Sequence, residues 1–300
     1  MALGKRTPQQ QEMWIATADL PRSPGHVFYR KLNELLSEVN FDQEVETLCK
    51  PYYAERRGRP SIPPGVYFRM LLIGFFEGIG SQRGIAWRCS DSLSLREFLG
   101  LGPTDSSPDH SSLTRVRDRL PLEVHQHVFL LVLQLAGLKK LLKGTTIGVD
   151  ATTLEASAAM KSIVRKETGE DWDDYLKRLI KEEEGNGDPT DEELRRFDKK
   201  RTGKKVSNEE WESPSDPDSR ITRMKSGRTG LAYKAEHAVD LDTELILAAE
   251  IYHGDQGDTA TLEDSVNQAQ LNLIQLGRKP TINEVAADKG YHSAAVLATC

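Results

Sequence analysis

Two apolar runs that are each followed by an aspartate constrain the fold of this chain more than any other feature. The first run is residues 145–149, followed by Asp150, and the second is residues 281–287, followed by Asp288. Their β-branched and small residues predict buried strands. A carboxylate at the end of a buried strand is costly unless it is paired, capped or bound to a cation. Each aspartate alone is most simply a turn or cap residue, but two of them on one sheet are candidates for a shared site.

The chain between these acids supplies the other elements of a sheet. Two alternating apolar segments, residues 231–239 and 244–251, flank a short polar turn and predict a β-hairpin. A helix follows, which Asp258 and Thr259 can cap and which Gly277 ends. After the second acid another helix begins. This order of elements predicts an α/β fold.

A charged insertion at about residues 160–225 interrupts the sheet. Trp172, Tyr175 and Leu176 begin an apolar pattern with helical spacing, and a second helix is predicted at residues 191–200. Because the segment is rich in both charges, we interpret its acids as solvated rather than catalytic.

The chain before the first acid has the pattern of an all-helical domain. Apolar periodicity and capping residues predict helices at residues 27–39, 63–76, 81–89, 94–99, 111–120 and 122–138. In the helix at 111–120, Leu113 and Val116 share one face, while Arg115 and Arg119 share another. The change from helical to strand patterns places a domain boundary near residue 140, between domains 1–140 and 141–300.

Arginines of the first domain are candidates for contacts with DNA. The basic, aromatic segment 52–60 is either a solvated linker or an arm that lies along a phosphate backbone, and composition favours neither. The net charge of −6 argues mildly against a nucleic-acid partner, but local patches decide phosphate contacts. The predicted DNA-binding residues are Arg56, Arg57, Arg59, Arg115, Arg117 and Arg119.

Composition excludes several other classes of protein. With 38% hydrophobic and 29% charged residues, the sequence is that of a soluble chain, and its polar N-terminus has no secretory signal. The longest apolar runs are too short to cross a bilayer. Cys49, Cys89 and Cys300 are widely separated, which supports neither a disulfide framework nor a zinc ribbon. We expect a cytoplasmic protein.

Three segments resemble the DDE transposases of bacterial insertion sequences. Residues 148–156 (GVDATTLEA) resemble the first-aspartate motif, residues 230–240 (GLAYKAEHAVD) the second strand, and residues 287–291 (ADKGY) the second-aspartate motif. Residues 58–119 are similar to the helical domain that precedes the catalytic core in these enzymes. The order of the elements is also that of a ribonuclease H-like core.

The resemblance implies a fold, an activity and a site. The expected fold is an incomplete ribonuclease H-like mixed sheet preceded by an all-α domain. The expected activity is metal-dependent DNA cleavage and strand transfer at transposon ends, with Asp150 and Asp288 as catalytic residues and as ligands of Mg²⁺ or Mn²⁺. Expected partners are double-stranded DNA, at the transposon ends and at the target, and a second copy of the chain in a homodimer; no membrane is implied.

The chain departs from the family pattern at the third acid, a glutamate that follows the second-aspartate strand. Only twelve residues follow Asp288, and none is acidic. We therefore expect a C-terminally truncated transposase with impaired activity. Two alternatives stay open, namely a DNA-binding remnant without catalysis and a metal-dependent nuclease that uses another third ligand.

Overall fold

The structure is a computed structural model that describes residues 16, 27–54, 58, 60–102, 104–185, 189–200, 206–224, 226–278 and 282–299. The chain divides after Leu135 into two compact units. We call them the helical unit and the sheet unit and describe each by itself.

The helical unit contains the predicted helices and one that was not predicted. The helices are α1 Val27–Glu38, α2 Phe41–Cys49, α3 Pro64–Phe76, α4 Gln82–Asp91, α5 Leu93–Phe98, α6 His110–Arg119 and α7 Leu122–Leu138, of which α7 runs past the division. The prediction of a single helix before residue 50 was wrong, because Phe41, Val45 and Cys49 recur every four residues and form a buried stripe on α2. In the described part of the chain, no helix has both the length and the apolar character needed to cross a membrane.

The core of the helical unit is apolar except for two buried arginines, Arg69 and Arg96. Tyr67, Met70 and Ile73 of α3 are almost completely enclosed. Arg69, on the same helix, is only 8% exposed and donates both terminal nitrogens to the carboxylate of Asp42 on α2. The ion pair therefore joins two helices that otherwise meet through apolar side chains.

The sheet unit is built on a five-stranded mixed sheet. Its strands are β1 Thr146–Glu155, β4 Arg220–Arg223, β5 Thr229–Asp240, β6 Ile246–His253 and β7 Glu284–Ala287, while β2 Val164–Arg165 and β3 Trp211–Glu212 form a separate two-stranded sheet. The order in the main sheet is β4, β5, β1, β7, with β6 pairing along β5 beyond β4. Strands β1 and β5 are antiparallel, and β1 and β7 are parallel. The sheet thus mixes both kinds of pairing, as expected.

The first acid does not end its strand, contrary to the prediction. β1 continues past Asp150 to Glu155, because the twelve-residue β5 pairs with it as far as Ala232. The shorter β7 pairs only with the first part of β1, up to Val149. Asp150 therefore lies in the middle of β1, directly after its pairing with β7 ends.

One face of the sheet is covered by α10 Asp258–Gln275, with α11 Ala294–Thr299 after β7. Leu262, Ala269 and Leu273 of α10 are buried. Gly277 has φ +73° and lies directly after the C-cap residue of α10, where it ends the helix as predicted. The predicted capping role of Asp258 was wrong, since Gly257 is the N-cap and Asp258 is the first helical residue.

The insertion has a small core of its own. It contains α8 Trp172–Glu184 and α9 Asp191–Lys200, as predicted, and also the two-stranded β2–β3 sheet. The rings of Trp172 and Tyr175 pack on Trp211, and the guanidinium group of Arg165 lies 5.1 Å from the centre of the Tyr175 ring. Strand β4, which falls within the segment assigned to the insertion, belongs to the main sheet.

Candidate active site

The parallel pairing of β1 with β7 brings Asp150 and Asp288 to neighbouring positions. Its last pair is Val149 with Ala287, and the two aspartates are the next residue on each chain segment. Neighbouring strands lie about 4.8 Å apart, and paired residues point to the same face. Both residues are exposed. The two acids, 138 positions apart in the sequence, thus lie side by side in the fold.

Local backbone donors orient both carboxylates. Oδ1 of Asp150 accepts a hydrogen bond of 2.8 Å from the backbone N–H of Ala151. Oδ1 of Asp288 accepts one of 2.7 Å from the N–H of Gly290, because Asp288 caps a short 3-10 turn, Lys289–Tyr291. Each of these bonds uses one carboxylate oxygen. Among the described residues neither Oδ2 atom has a protein donor, so both can accept a further ligand.

A third carboxylate approaches the turn from the start of α10. A Cβ atom added to Gly290 would lie 2.9 Å from Oδ2 of Asp258 and 2.9 Å from Oδ1 of Asp288. The two carboxylates therefore border the same space beside Gly290, and a side chain at this position would displace at least one of them. Oδ1 of Asp258 is paired with Nζ of Lys234 at 2.7 Å. In the described ranges, no three Asp, Glu, His or Cys side chains are grouped so that they could hold a metal ion.

A buried glutamate on the α10 face of β5 lies behind this turn. Glu236 is completely enclosed, and four donors surround its carboxylate. They are the hydroxyls of Thr261 at 2.8 Å, Ser265 at 2.6 Å and Tyr291 at 2.9 Å, and Nζ of Lys234 at 2.9 Å. Since every donor is at hydrogen-bonding distance, the cost of burying the charge is offset. We call these five residues the Glu236 network.

Lys234 links the Glu236 network to Asp258. It is 7% exposed, and its ammonium group lies 2.7 Å from Oγ1 of Thr261, 2.7 Å from Asp258 and 2.9 Å from Glu236. These contacts match the three N–H donors of a lysine. Lys234 therefore stands between two carboxylates, one of which borders the Asp288 turn.

Tyr291 is held as a permanent donor in the Glu236 network. Burial raises the pKa of its hydroxyl far above the usual value, and the hydrogen bond and negative charge of Glu236 raise it further. The negative charges of Asp258 and Asp150 raise the pKa in the same direction. The hydroxyl stays protonated and donates to Glu236 across the physiological range of pH.

Lys234 and Glu236 lie in the segment that resembles the second strand of the DDE transposases, but the sequence alone predicted no role for them. In the β1–β5 pairing His237 lies directly opposite Asp150, so both residues share one face of the sheet, while Lys234 and Glu236 share the α10 face. The available signal was the spacing of two between Lys234 and Glu236, which places both charges on the same face of one strand. Charged residues on the buried face of a strand are unusual and indicate a polar network.

The predicted DNA-binding arginines lie in the helical unit. Arg115, Arg117 and Arg119 are all exposed on α6. The guanidinium group of Arg119 lies 4.7 Å from the ring centre of Tyr53, and Nε of Arg117 lies 3.7 Å from Oδ1 of Asp118. The other predicted contacts, Arg56, Arg57 and Arg59, lie outside the described residues.

Comparison with known proteins gave one match, which lies in the helical unit. The family model described as "Transposase domain (DUF772)" matches residues 18–119. Comparisons with curated proteins and with solved structures gave no match. The matched segment covers α1 to α6, including the three exposed arginines of α6. This match supports a transposase that acts on DNA.

Proposed function

We propose that this protein is a DDE-type transposase whose sheet unit has the ribonuclease H-like topology and whose Asp150 and Asp288 serve DNA cleavage and strand transfer. The observation that carries the proposal is the parallel β1–β7 register, whose last pair is followed immediately by Asp150 on one segment and by Asp288 on the other. The transposase-domain match at residues 18–119 supports it independently, since it concerns a different part of the chain.

The residues at this position fit a hard divalent cation. Two exposed carboxylates, each with one oxygen free of protein donors among the described residues, offer the oxygen ligands that Mg²⁺ or Mn²⁺ prefers. Asp150 and Asp288 would hold the metal, with water and substrate phosphate completing the shell. A bound cation would supply charge stabilisation for the attacking and leaving oxygens of the phosphodiester.

The chain's own residues contribute binding and orientation. The exposed arginines of α6 bind DNA phosphates, which sets the position of the duplex without reading its sequence. The backbone N–H groups of Ala151 and Gly290 fix one oxygen of each aspartate. Fixed ligand geometry is what an in-line displacement requires, because positioning and charge stabilisation lower its barrier.

A cleavage and joining assay tests the proposal. The full chain is incubated with Mg²⁺ or Mn²⁺ and duplex DNA that carries candidate transposon ends, beside Asp150→Asn and Asp288→Asn. We expect weak metal-dependent cutting and joining that both variants abolish, because no third acid is grouped with Asp150 and Asp288 among the described residues. Cutting that survives in both would overturn the assignment of these two acids, and nicking without joining would favour a nuclease.

A second candidate is a DNA-binding protein without catalysis, such as one that occupies transposon ends. It is favoured by the extent of the family match, which covers residues 18–119 and neither acid. Salt-dependent DNA binding without cleavage, unchanged in Asp150→Asn, would support it over the enzyme.

A further inference from the structure

We propose that Tyr291 and Lys234 are positioning residues that hold Asp288 in its place for cation binding. They act through the buried carboxylate of Glu236 and through Asp258. The inference rests on the proposed function of Asp288 as a metal ligand. The buried Glu236 network takes no direct part in the proposed cleavage chemistry.

The first link is the 3-10 turn that Asp288 shares with Tyr291. Asp288 caps this turn, and its backbone oxygen accepts a hydrogen bond of 3.2 Å from the N–H of Tyr291. The ring of Tyr291 is 3% exposed, and its hydroxyl donates to Glu236 at 2.9 Å. Since Glu236 belongs to the long central strand β5, this bond ties the Asp288 turn to the most extensively paired strand of the sheet.

The second link is electrostatic and passes through Asp258. The carboxylates of Asp258 and Asp288 border the same space beside Gly290, where two like charges repel. Lys234 lies 2.7 Å from Asp258 and compensates its charge. Without this ammonium group, repulsion from Asp258 would push the Asp288 turn away from β1.

Stability alone does not explain the cluster. Taking a charged pair out of water offsets most of its attraction, so apolar side chains of similar volume would serve the core at least as well. Groups behind a metal ligand, by contrast, commonly fix its orientation, and their loss weakens metal binding. The Glu236 network has this arrangement with respect to Asp288.

The test measures Mn²⁺ binding by the full chain from the electron paramagnetic resonance signal of free Mn²⁺, independently of activity. In Tyr291→Phe the ring stays and only the donor to Glu236 is removed. We expect the Kd for Mn²⁺ to rise about tenfold or more. The matched control is Tyr233→Phe, which removes a hydroxyl of the same sheet that donates to Asp216 instead. It should bind Mn²⁺ as the unmodified chain does.

A second variant, Lys234→Gln, separates positioning from simple charge. Removal of a nearby positive charge alone would tighten the binding of a cation. If Lys234 positions Asp288 through Asp258, the variant binds Mn²⁺ more weakly. Tighter or unchanged binding in this variant overturns the role of Lys234, and unchanged binding in a folded Tyr291→Phe overturns that of Tyr291.

Asp288→Asn distinguishes a failure of this inference from a failure of the proposed function. If Asp288→Asn loses Mn²⁺ while Tyr291→Phe and Lys234→Gln retain it, only the positioning role is wrong. If Asp288→Asn binds Mn²⁺ as well as the unmodified chain, the metal site itself is wrong, and the inference falls with it.

Discussion

The two units of this chain bury charge in opposite ways. In the helical unit, Arg69 is enclosed, but its partner Asp42 is 58% exposed at the side chain and remains accessible to water. In the sheet unit, Lys234 is 8% and Glu236 0% exposed at the side chain, so both ends of the ion pair are enclosed. A fully enclosed pair gains little stability over apolar packing, and it becomes costly when one partner is removed. The difference agrees with the positioning role proposed above for the enclosed pair behind Asp288, whereas the half-exposed pair of the helical unit can contribute directly to stability.

The largest effect is expected from breaking the enclosed pair. Glu236→Ala would remove one of the two carboxylates that lie beside Lys234 and the acceptor of three hydroxyls. Loss of one partner of a buried pair costs about 3–5 kcal/mol. Urea denaturation followed by circular dichroism should show the sheet unit losing stability by this amount. A loss below about 1 kcal/mol would mean that water reaches the site, and the contrast between the units would disappear.

A smaller effect is expected from the matched change in the helical unit. Arg69→Met keeps an apolar stem between α2 and α3 but removes the bonds to Asp42. Because Asp42 is exposed, it can return to water, and the cost should be about 1.5–3 kcal/mol, typical of hydrogen bonds to a charged group. The same denaturation experiment measures it. If Arg69→Met costs more than Glu236→Ala, the proposed difference between the two cores is wrong.

Asp240, at the end of β5, is a carboxylate that is 0% exposed. Burial alone would raise its pKa, but the backbone N–H groups of Gly144, Lys143 and Asp242 donate to it and lower the pKa overall. A lowered folded pKa means that the stability contribution is fully present above the unfolded value of about 3.9. That contribution is lost as the pH falls through the folded pKa.

Asp240→Asn should therefore lower the free energy of unfolding by about 1–2 kcal/mol at neutral pH. The loss should be smaller in acid, because a protonated carboxyl group and an amide are both uncharged and accept hydrogen bonds similarly. Unfolding measured across the range from neutral to strongly acidic pH should show the stability curves of the two proteins converging below about pH 4, near the unfolded pKa of an aspartate. Parallel curves would contradict the hydrogen-bonding role of the ionised carboxylate.

The smallest effect on stability is expected on the surface of the helical unit. Arg115→Ala with Arg119→Ala removes two exposed side chains of α6, and stability should stay within about 1 kcal/mol, since the Arg119 interaction with Tyr53 is a surface cation–π pair. The DNA affinity of the full chain should fall, however. The slope of log affinity against log salt should flatten by roughly 0.9 for each phosphate that the variant no longer neutralises. An unchanged slope would remove α6 from the proposed DNA interface.

The sequence by itself determined the local elements and the neighbouring positions of Asp150 and Asp288. The helix that Gly277 ends, the β5–β6 hairpin and the arginine face of α6 follow from periodicity and turn residues, which are local properties of the chain. The neighbouring positions of Asp150 and Asp288 also followed from a pattern, because parallel strands bring equivalent residues to the same edge.

Only the tertiary structure decided the length of β1 and the surroundings of Asp288. Strand β1 extends past Asp150 because a long partner, β5, pairs with it to the end, and a strand's own sequence does not specify its partner's length. Lys234, Glu236, Asp258 and Tyr291 come from a strand, a helix start and a turn that lie far apart in the sequence. The energy of a buried charge depends on the groups that surround it. The role proposed for these four residues therefore depends on contacts that form only when the chain has folded.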